Sequence, residues 1–416
     1  MTNFFGGLGW ILMTNPPKNF IAEPFEYHEE IELKIDDLNH LGSGVGRFDG
    51  WVVFVPFTLP GELVRVKIWR NKKNYSDADL VEIIESSPDR VEPRCKLFKE
   101  CGGCQYQHFD YEAQLDWISK RISELLSRLA GIEVDVNPCI GSPKTYSYRS
   151  KITPHFRKPP DNPKVPIGFQ RASSRSIVDV DHCPIASEAI NQMLTSERKK
   201  LRSGEKKYKR GGTLLLRDCD GGVLTDMRMI GEETIGDCKF RFVAGEFFQN
   251  NPYVLPSLIQ YTLEQAEGEG ILYLADVYCG VGVFGICGAT RFKAARGIEV
   301  NERAIQLAHE NAKINEVDNI DFCAGVAENI FDQLDFAPEK TSMIIDPPRK
   351  GCDEAFIQQA CKFGAKKIVY VSCGPDTQAR DARLLIDGGY AVESVQPFDL
   401  FPQTRHIENV ITFVRS

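Results

Sequence analysis

The sequence has no run of the ~20 apolar residues that a membrane-spanning helix requires. Its one apolar opening, residues 1–13, lacks a basic segment ahead of it and makes a poor secretory signal. A disordered tail over 1–23 is the expectation, with residues 1–12 a candidate over-called start. Internal repeats and low-complexity segments are missing too, which sets aside solenoid architectures. There is also no excess of positive charge. The formal net charge is −8, which argues mildly against a nucleic-acid partner, because such partners normally meet a basic surface.

What is present changes that last reading. The basic residues are grouped. Val64–Tyr75, Lys144–Arg175 and Ser196–Arg210 are rich in Lys and Arg and poor in acids, while the chain turns acidic after about residue 265. A single run of this kind reads as a solvated face; three in one part of the chain suggest a polyanion held there and a small molecule held beyond. The 42% apolar content is ordinary for globular domains. Thirteen cysteines without an export signal imply a reducing, cytoplasmic setting, where thiols bind metal, catalyse or pack.

Residues 24–86 read as five short strands separated by Gly, Asn, Asp and Pro, the pattern of a small OB-like β-barrel. Apolar residues at Leu115, Ile118, Ile122, Leu125 and Leu129 have helical spacing, with Gly131 a stop signal. Short strands and polar loops fill 140–245, with a basic helix near Ala186–Leu201. From about Leu255, strand-like and helical runs alternate, which implies βαβ units and a parallel sheet covered on both faces. The last segment, from Ala391, reads as two strands closing the sheet as an antiparallel hairpin. The fold class expected is therefore α/β: a Rossmann-like C-terminal domain over 251–416, a central α+β domain over 87–250 and the N-terminal barrel.

Three stretches carry chemistry. Asp276–Gly285 (DVYCGVGVFG) follows an apolar strand and enters a helix, and its glycines let backbone approach a ligand. Glu299 ends the next strand, where a carboxylate can accept ribose hydroxyls. The spacing is not that of a pyrophosphate cradle, which favours S-adenosylmethionine over a dinucleotide. Asp346, in Asp-Pro-Pro-Arg-Lys-Gly, and Cys373, in Ser-Cys-Gly-Pro, sit at the ends of two later strands. Ligands bind outside such ends, so both should face one crevice. A thiolate there suits methylation of a pyrimidine: sulfur adding to carbon 6 makes carbon 5 nucleophilic, and a base then removes the carbon-5 proton. Glu408 is the candidate base and His406 its rival.

Cys95, Cys101 and Cys104, with the distant Cys183, form a 3+1 set of thiols. A [4Fe–4S] cluster and zinc are both candidates; zinc usually takes two paired knuckles, so the spacing favours the cluster.

Together these residues make the sequence resemble the RNA 5-methyluridine methyltransferases, over nearly the whole chain from residue 24. The resemblance implies a TRAM barrel at the N-terminus and a [4Fe–4S] cluster on Cys95, Cys101, Cys104 and Cys183. It implies S-adenosylmethionine at Gln249 (in Phe-Phe-Gln-Asn), Tyr278, Glu299 and Asp346, with Cys373 the nucleophile and Glu408 the base. Val283 and Ser150 depart from the family's commoner Asn, and His-Ile-Glu-Asn-Val differs slightly from its last motif. The expected substrate is a uridine of RNA, 23S ribosomal RNA first and transfer RNA second, and the expected state is a monomer with no membrane. The rivals are an amino-group methyltransferase using Asp346-Pro-Pro, an RNA-binding protein whose methyltransferase fold has decayed, and a redox sensor.

Overall fold

The computed structural model describes residues 16–157, 164–172, 174–205, 211–325 and 331–415. The expected tail lies outside the described residues up to position 15, as do parts of the second and third basic runs. Among the described residues no helix is long and apolar enough to cross a membrane.

The chain forms two compact units that divide after Arg90. The first is a closed barrel of five strands: β1 (Glu30–Leu38), β2 (Ser43–Phe48), β3 (Trp51–Pro56), β4 (Leu63–Asn71) and β5 (Tyr75–Glu85), in the order β1-β2-β3-β5-β4. Period-2 alternation fills it. Ile31, Leu33, Ile35, Val53, Val55, Val64, Val66, Ile68 and Ala78 all point inward. Gly44 is required where β2 crosses the barrel, since a Cβ there would lie 2.0 Å from Thr58 Oγ1.

The second unit begins with the cysteine-bearing segment and α1 (Tyr111–Leu125), capped by Asp110, which accepts from the Glu112 amide. One wider turn carries it on to Ala130, and Gly131, at φ +64°, ends it as expected. Small sheets built from two- to six-residue strands follow, together with the basic helix α2 (Glu188–Arg202). Part of that helix's charge is structural rather than solvated. Arg198 is buried, with its guanidinium on both carboxylate oxygens of Asp179 at 2.8 Å and on the carbonyls of Ile167 and Val180.

After α3 (Leu255–Ala266), seven strands form one sheet: β6 (Tyr273–Val277), β7 (Ala294–Glu299), β8 (Ile320–Ala324), β9 (Thr341–Ile345), β10 (Lys367–Ser372), β11 (Tyr390–Phe398) and β12 (Glu408–Arg415). Their order is β8-β7-β6-β9-β10-β12-β11, parallel through β10 and antiparallel beyond. Apolar clusters cover both faces, which explains why β9 is buried at every residue. Chain order reverses between β6 and β9, the place where such sheets hold ligands. The closing pair is antiparallel as expected. Its later strand, β12, takes the inner position between β10 and β11.

Candidate active site

Parallel pairing aligns the strand ends. Val277 pairs with both Ile298 and Ile345, so Tyr278, Glu299 and Asp346 leave the sheet side by side. The turn after β6 takes left-handed backbone at three residues, the strained one being Tyr278: φ is +65° at Tyr278, +54° at Gly280 and +87° at Gly282. Asp276 is buried beneath this turn and accepts from the Gly285 amide at 2.8 Å, tying the turn to α4 (Val283–Gly288). Burial pushes its carboxyl up to about 7, with nearby Glu299 adding to the rise. Glu299 itself accepts from the Gly280 and Asn301 amides at 3.2 and 2.9 Å. The Tyr278 ring lies 5.4 Å from that of Phe356.

Gln249 sits in an irregular segment, 246–250, with no strand or helix of its own. A residue that sequence reasoning missed holds it. Arg217 is fully buried, and its guanidinium donates to the carbonyls of Gln249 (3.3 Å) and Phe248 (3.4 Å) and to Asn250 Oδ1 (3.2 Å). Lys151, paired with Arg217 across two strands, donates to the Glu246 carbonyl at 2.9 Å. A lone arginine in a short strand gives no sequence signal for such a clamp.

Cys373 follows β10 and precedes α5 (Pro375–Asp387). The antiparallel register Ser372↔Asn409 sets Cys373 beside Glu408, the first residue of β12. The electrostatics agree. Burial, then Glu408 and Asp346, push the Cys373 thiol up to about 11, while Arg349 acts in the opposite sense through its charge and a hydrogen bond. Glu408 is buried, and burial with Asp346 beside it holds its carboxyl well above the usual carboxylate range, Arg349 again opposing. Asp346 is half-buried and also raised, by desolvation and Asp276. The four groups therefore meet at the carboxyl ends of β9 and β10. Arg349, present in the motif but given no role from sequence, is the cation among them. His406 is different. Burial and the charges of Arg349, Arg149 and Arg405 lower it to about 4, leaving it neutral and weakly basic at neutral pH.

The four thiols also gather. Burial first, then Cys183, Cys101 and Cys95, raise the Cys104 thiol. Burial pushes Cys183 up to about 11, with Cys101 contributing. Gly102 donates to the Gln170 carbonyl at 2.9 Å, and the Cys183 amide to Asn191 Oδ1 at 2.8 Å. Among the described residues no group of three or more His, Cys, Asp or Glu side chains is placed to hold a metal ion.

Comparison with known proteins gives a consistent picture. Residues 230–416 match the tRNA (uracil-5-)-methyltransferase family and residues 25–81 the TRAM domain. A tRNA (uracil(54)-C(5))-methyltransferase of Schizosaccharomyces pombe is 39% identical, over 94% of this chain and 79% of that protein. The protein of the same name from Saccharomyces cerevisiae is 32% identical, over 94% and 74%. A crystal structure of the Pyrococcus abyssi tRNA (uracil-54, C5)-methyltransferase with S-adenosyl-L-homocysteine superposes with a TM-score of 0.70 at 26% identity, covering 92% of this chain and 100% of that one. The strand-end site on a methyltransferase sheet, the N-terminal barrel and this similarity along nearly the full length lead to one assignment: the chain belongs to the tRNA (uracil-5-)-methyltransferase family.

Proposed function

We propose that this protein methylates carbon 5 of a uridine in RNA, with Cys373 as covalent nucleophile and Glu408 as base. The observation that carries the reading is the meeting of Cys373, Glu408, Asp346 and Arg349 at the carboxyl ends of β9 and β10. S-adenosylmethionine, when bound, supplies an electrophilic methyl group. Gln249, Tyr278, Glu299 and Asp346 are the residues that hold it, Glu299 through the ribose hydroxyls; the aligned strand ends and the glycine turn support this.

Cys373 gives its proton to water and, as thiolate, adds to carbon 6 of the ring, which sends the electron pair of the 5,6 double bond toward the carbonyl oxygen and makes carbon 5 nucleophilic. Arg349 places positive charge where the thiolate forms, against the opposition of burial and two carboxyls. Once carbon 5 carries the methyl group it still bears a hydrogen. Glu408 takes that proton, the double bond re-forms and the carbon–sulfur bond breaks. A buried carboxylate with a raised pKa is a strong base for this step. His406 at about 4 is too weak a base to compete.

Of the two RNA classes expected, transfer RNA is the one for which the fungal and archaeal relatives are named, so we place it first. The barrel of 24–86 and the central region of 87–250 grip the RNA; 251–416 performs the chemistry on a base taken out of its stack. Cys95, Cys101, Cys104 and Cys183 hold a [4Fe–4S] cluster in a cytoplasmic, monomeric protein. The 3+1 spacing of the thiols supports the cluster over zinc, whose structural sites usually take two paired knuckles.

The test is a denaturing gel of the protein with RNA bearing 5-fluorouridine and the methyl donor. Fluorine cannot leave as a cation, so a retarded band that disappears in Cys373→Ala is expected. A folded, donor-binding protein that forms no band refutes the covalent route and leaves nitrogen methylation at Asp346-Pro-Pro in its place.

A further inference from the structure

The loop Asp399–Ile407, which delivers Glu408 to the site, is tied down by residues far from it in sequence. Gln403 is buried and has φ +69°, a left-handed conformation that a non-glycine residue keeps only where its surroundings over-determine it. Those surroundings are specific. The Gln403 carbonyl accepts from two successive amides, Gln105 and Tyr106, each at 3.0 Å. Its own amide donates to Gln114 Oε1, and Gln114 Nε2 donates back to Gln403 Oε1, both at 3.3 Å. Gln114 is buried on α1 and also holds the carbonyls of Phe109 and Tyr106. Two residues on, the Arg405 amide donates to Gln105 Oε1 at 3.1 Å. The partners of Gln403 and Arg405 all lie in the stretch that begins at Cys104 and runs into α1, while Tyr148 and Asn251 hold the carbonyls of Pro402 and Leu400 from elsewhere. No comparable tie joins that stretch to the donor-binding turn at 278–285 among the hydrogen bonds of the described residues.

We infer that Gln105, Gln114 and Gln403 form a bracket that positions the base Glu408, so that the cysteine-bearing segment acts on removal of the carbon-5 proton and not on binding of the methyl donor. The inference rests on the reading of Glu408 as base. Gln403 and Gln114 are positioning residues: neither touches the ring, and each acts by fixing the backbone that enters β12. A displacement of about 1 Å at a catalytic group costs up to on the order of a hundred-fold in rate. Methyl transfer, which precedes proton removal, does not need Glu408 in place.

The experiment is single-turnover methylation of a tRNA transcript by the full-length protein and its Gln114→Ala and Gln403→Ala variants, resolving free methylated product from RNA still bound through sulfur. Binding of S-adenosyl-L-homocysteine is measured by calorimetry alongside. Both variants should accumulate methylated, protein-bound RNA, with its release slowed on the order of ten-fold or more and homocysteine-derivative affinity within about two-fold of the parent. Gln105→Ala, which deletes the side-chain bonds to the Arg405 amide and the Gly102 carbonyl, should give a smaller effect in the same direction and serves if the buried variants fold poorly. Equal losses in donor affinity and methyl transfer, or unchanged release in all three, overturn the inference. Glu408→Gln separates the two levels. If it too accumulates no bound RNA, the base assignment fails; if it does and the glutamine variants do not, only the bracket fails.

Discussion

Replacing Glu408 by Gln should stop the reaction at its last step. The side chain is 3% exposed, so shape governs what the position tolerates, and Gln matches Glu in shape. Its carboxyl is held well above the usual range by burial and by Asp346, so an uncharged amide of the same shape suits the site. A carboxyl raised in the folded state binds its proton more tightly there than in the unfolded chain. It therefore costs stability as pH rises above its ordinary value. The variant should melt no lower than the parent at pH 6, and higher at pH 8. Catalysis should respond in the opposite sense. General bases contribute roughly a hundred- to ten-thousand-fold, and a desolvated, strongly basic carboxylate belongs in the upper half, so turnover should fall about a thousand-fold or more. Addition of Cys373 and methyl transfer do not need the base. Ordinary uridine RNA should then stay attached to Glu408→Gln on a denaturing gel, with a mass equal to protein plus methylated RNA. Continued turnover without the attached species would refute the reasoning. The same species appearing in His406→Asn instead would transfer the role to His406.

Gly282→Ala should abolish measurable S-adenosyl-L-homocysteine binding in calorimetry, because the residue has φ +87° and its new Cβ would stand 2.8 Å from the Phe322 ring; parental affinity would show that the turn is not the donor site. Purified protein should carry about four iron atoms per chain, and Cys104→Ser should remove them and lower the melting temperature; an iron-free, colourless parent prepared without oxygen would argue for another role for the thiols. Burial raises Asp276 and Asp399 each to about 7, so the folded state binds more protons than the unfolded chain between about pH 4 and 7. These two groups should make stability fall as pH rises through that window, and the slope should shrink in Asp399→Asn. Asp179, held at about 2 by its arginine partners against the cost of burial, stays ionised there and adds no slope. A slope unchanged in Asp399→Asn would contradict the assignment.

The glycine turn, the Asp-Pro-Pro and Ser-Cys-Gly-Pro strand ends and the five barrel strands were legible because local rules govern them: left-handed turns want glycine, and strands alternate. From the residues alone Glu408 was only a candidate base beside its rival His406, and the resemblance chose between them, since the pairing with Cys373 depends on a register, Ser372↔Asn409, set by β12 entering between β10 and β11. Arg198 and Arg217 show why charge was the poorest guide. Arg198 reads as part of a basic face and is turned inward onto Asp179, and Arg217 vanishes among ordinary strand residues while holding up the Gln249 segment. Gln403 and Gln114 had no signal at all, because amide pairs 289 positions apart in the chain follow from tertiary packing alone.

The inner place of β12 also bears on the order in which the protein becomes competent during synthesis. The donor turn, Asp346 and the nucleophile all precede it in the chain, and the parallel strands β6 to β10 can pair without it. On the roles proposed above, a nascent chain halted before residue 408 would carry the glycine turn, Asp346 and Cys373 but not the base. Chains emerge and fold from the N-terminal side, so on that proposal the last strand to arrive is the one that completes the catalytic set.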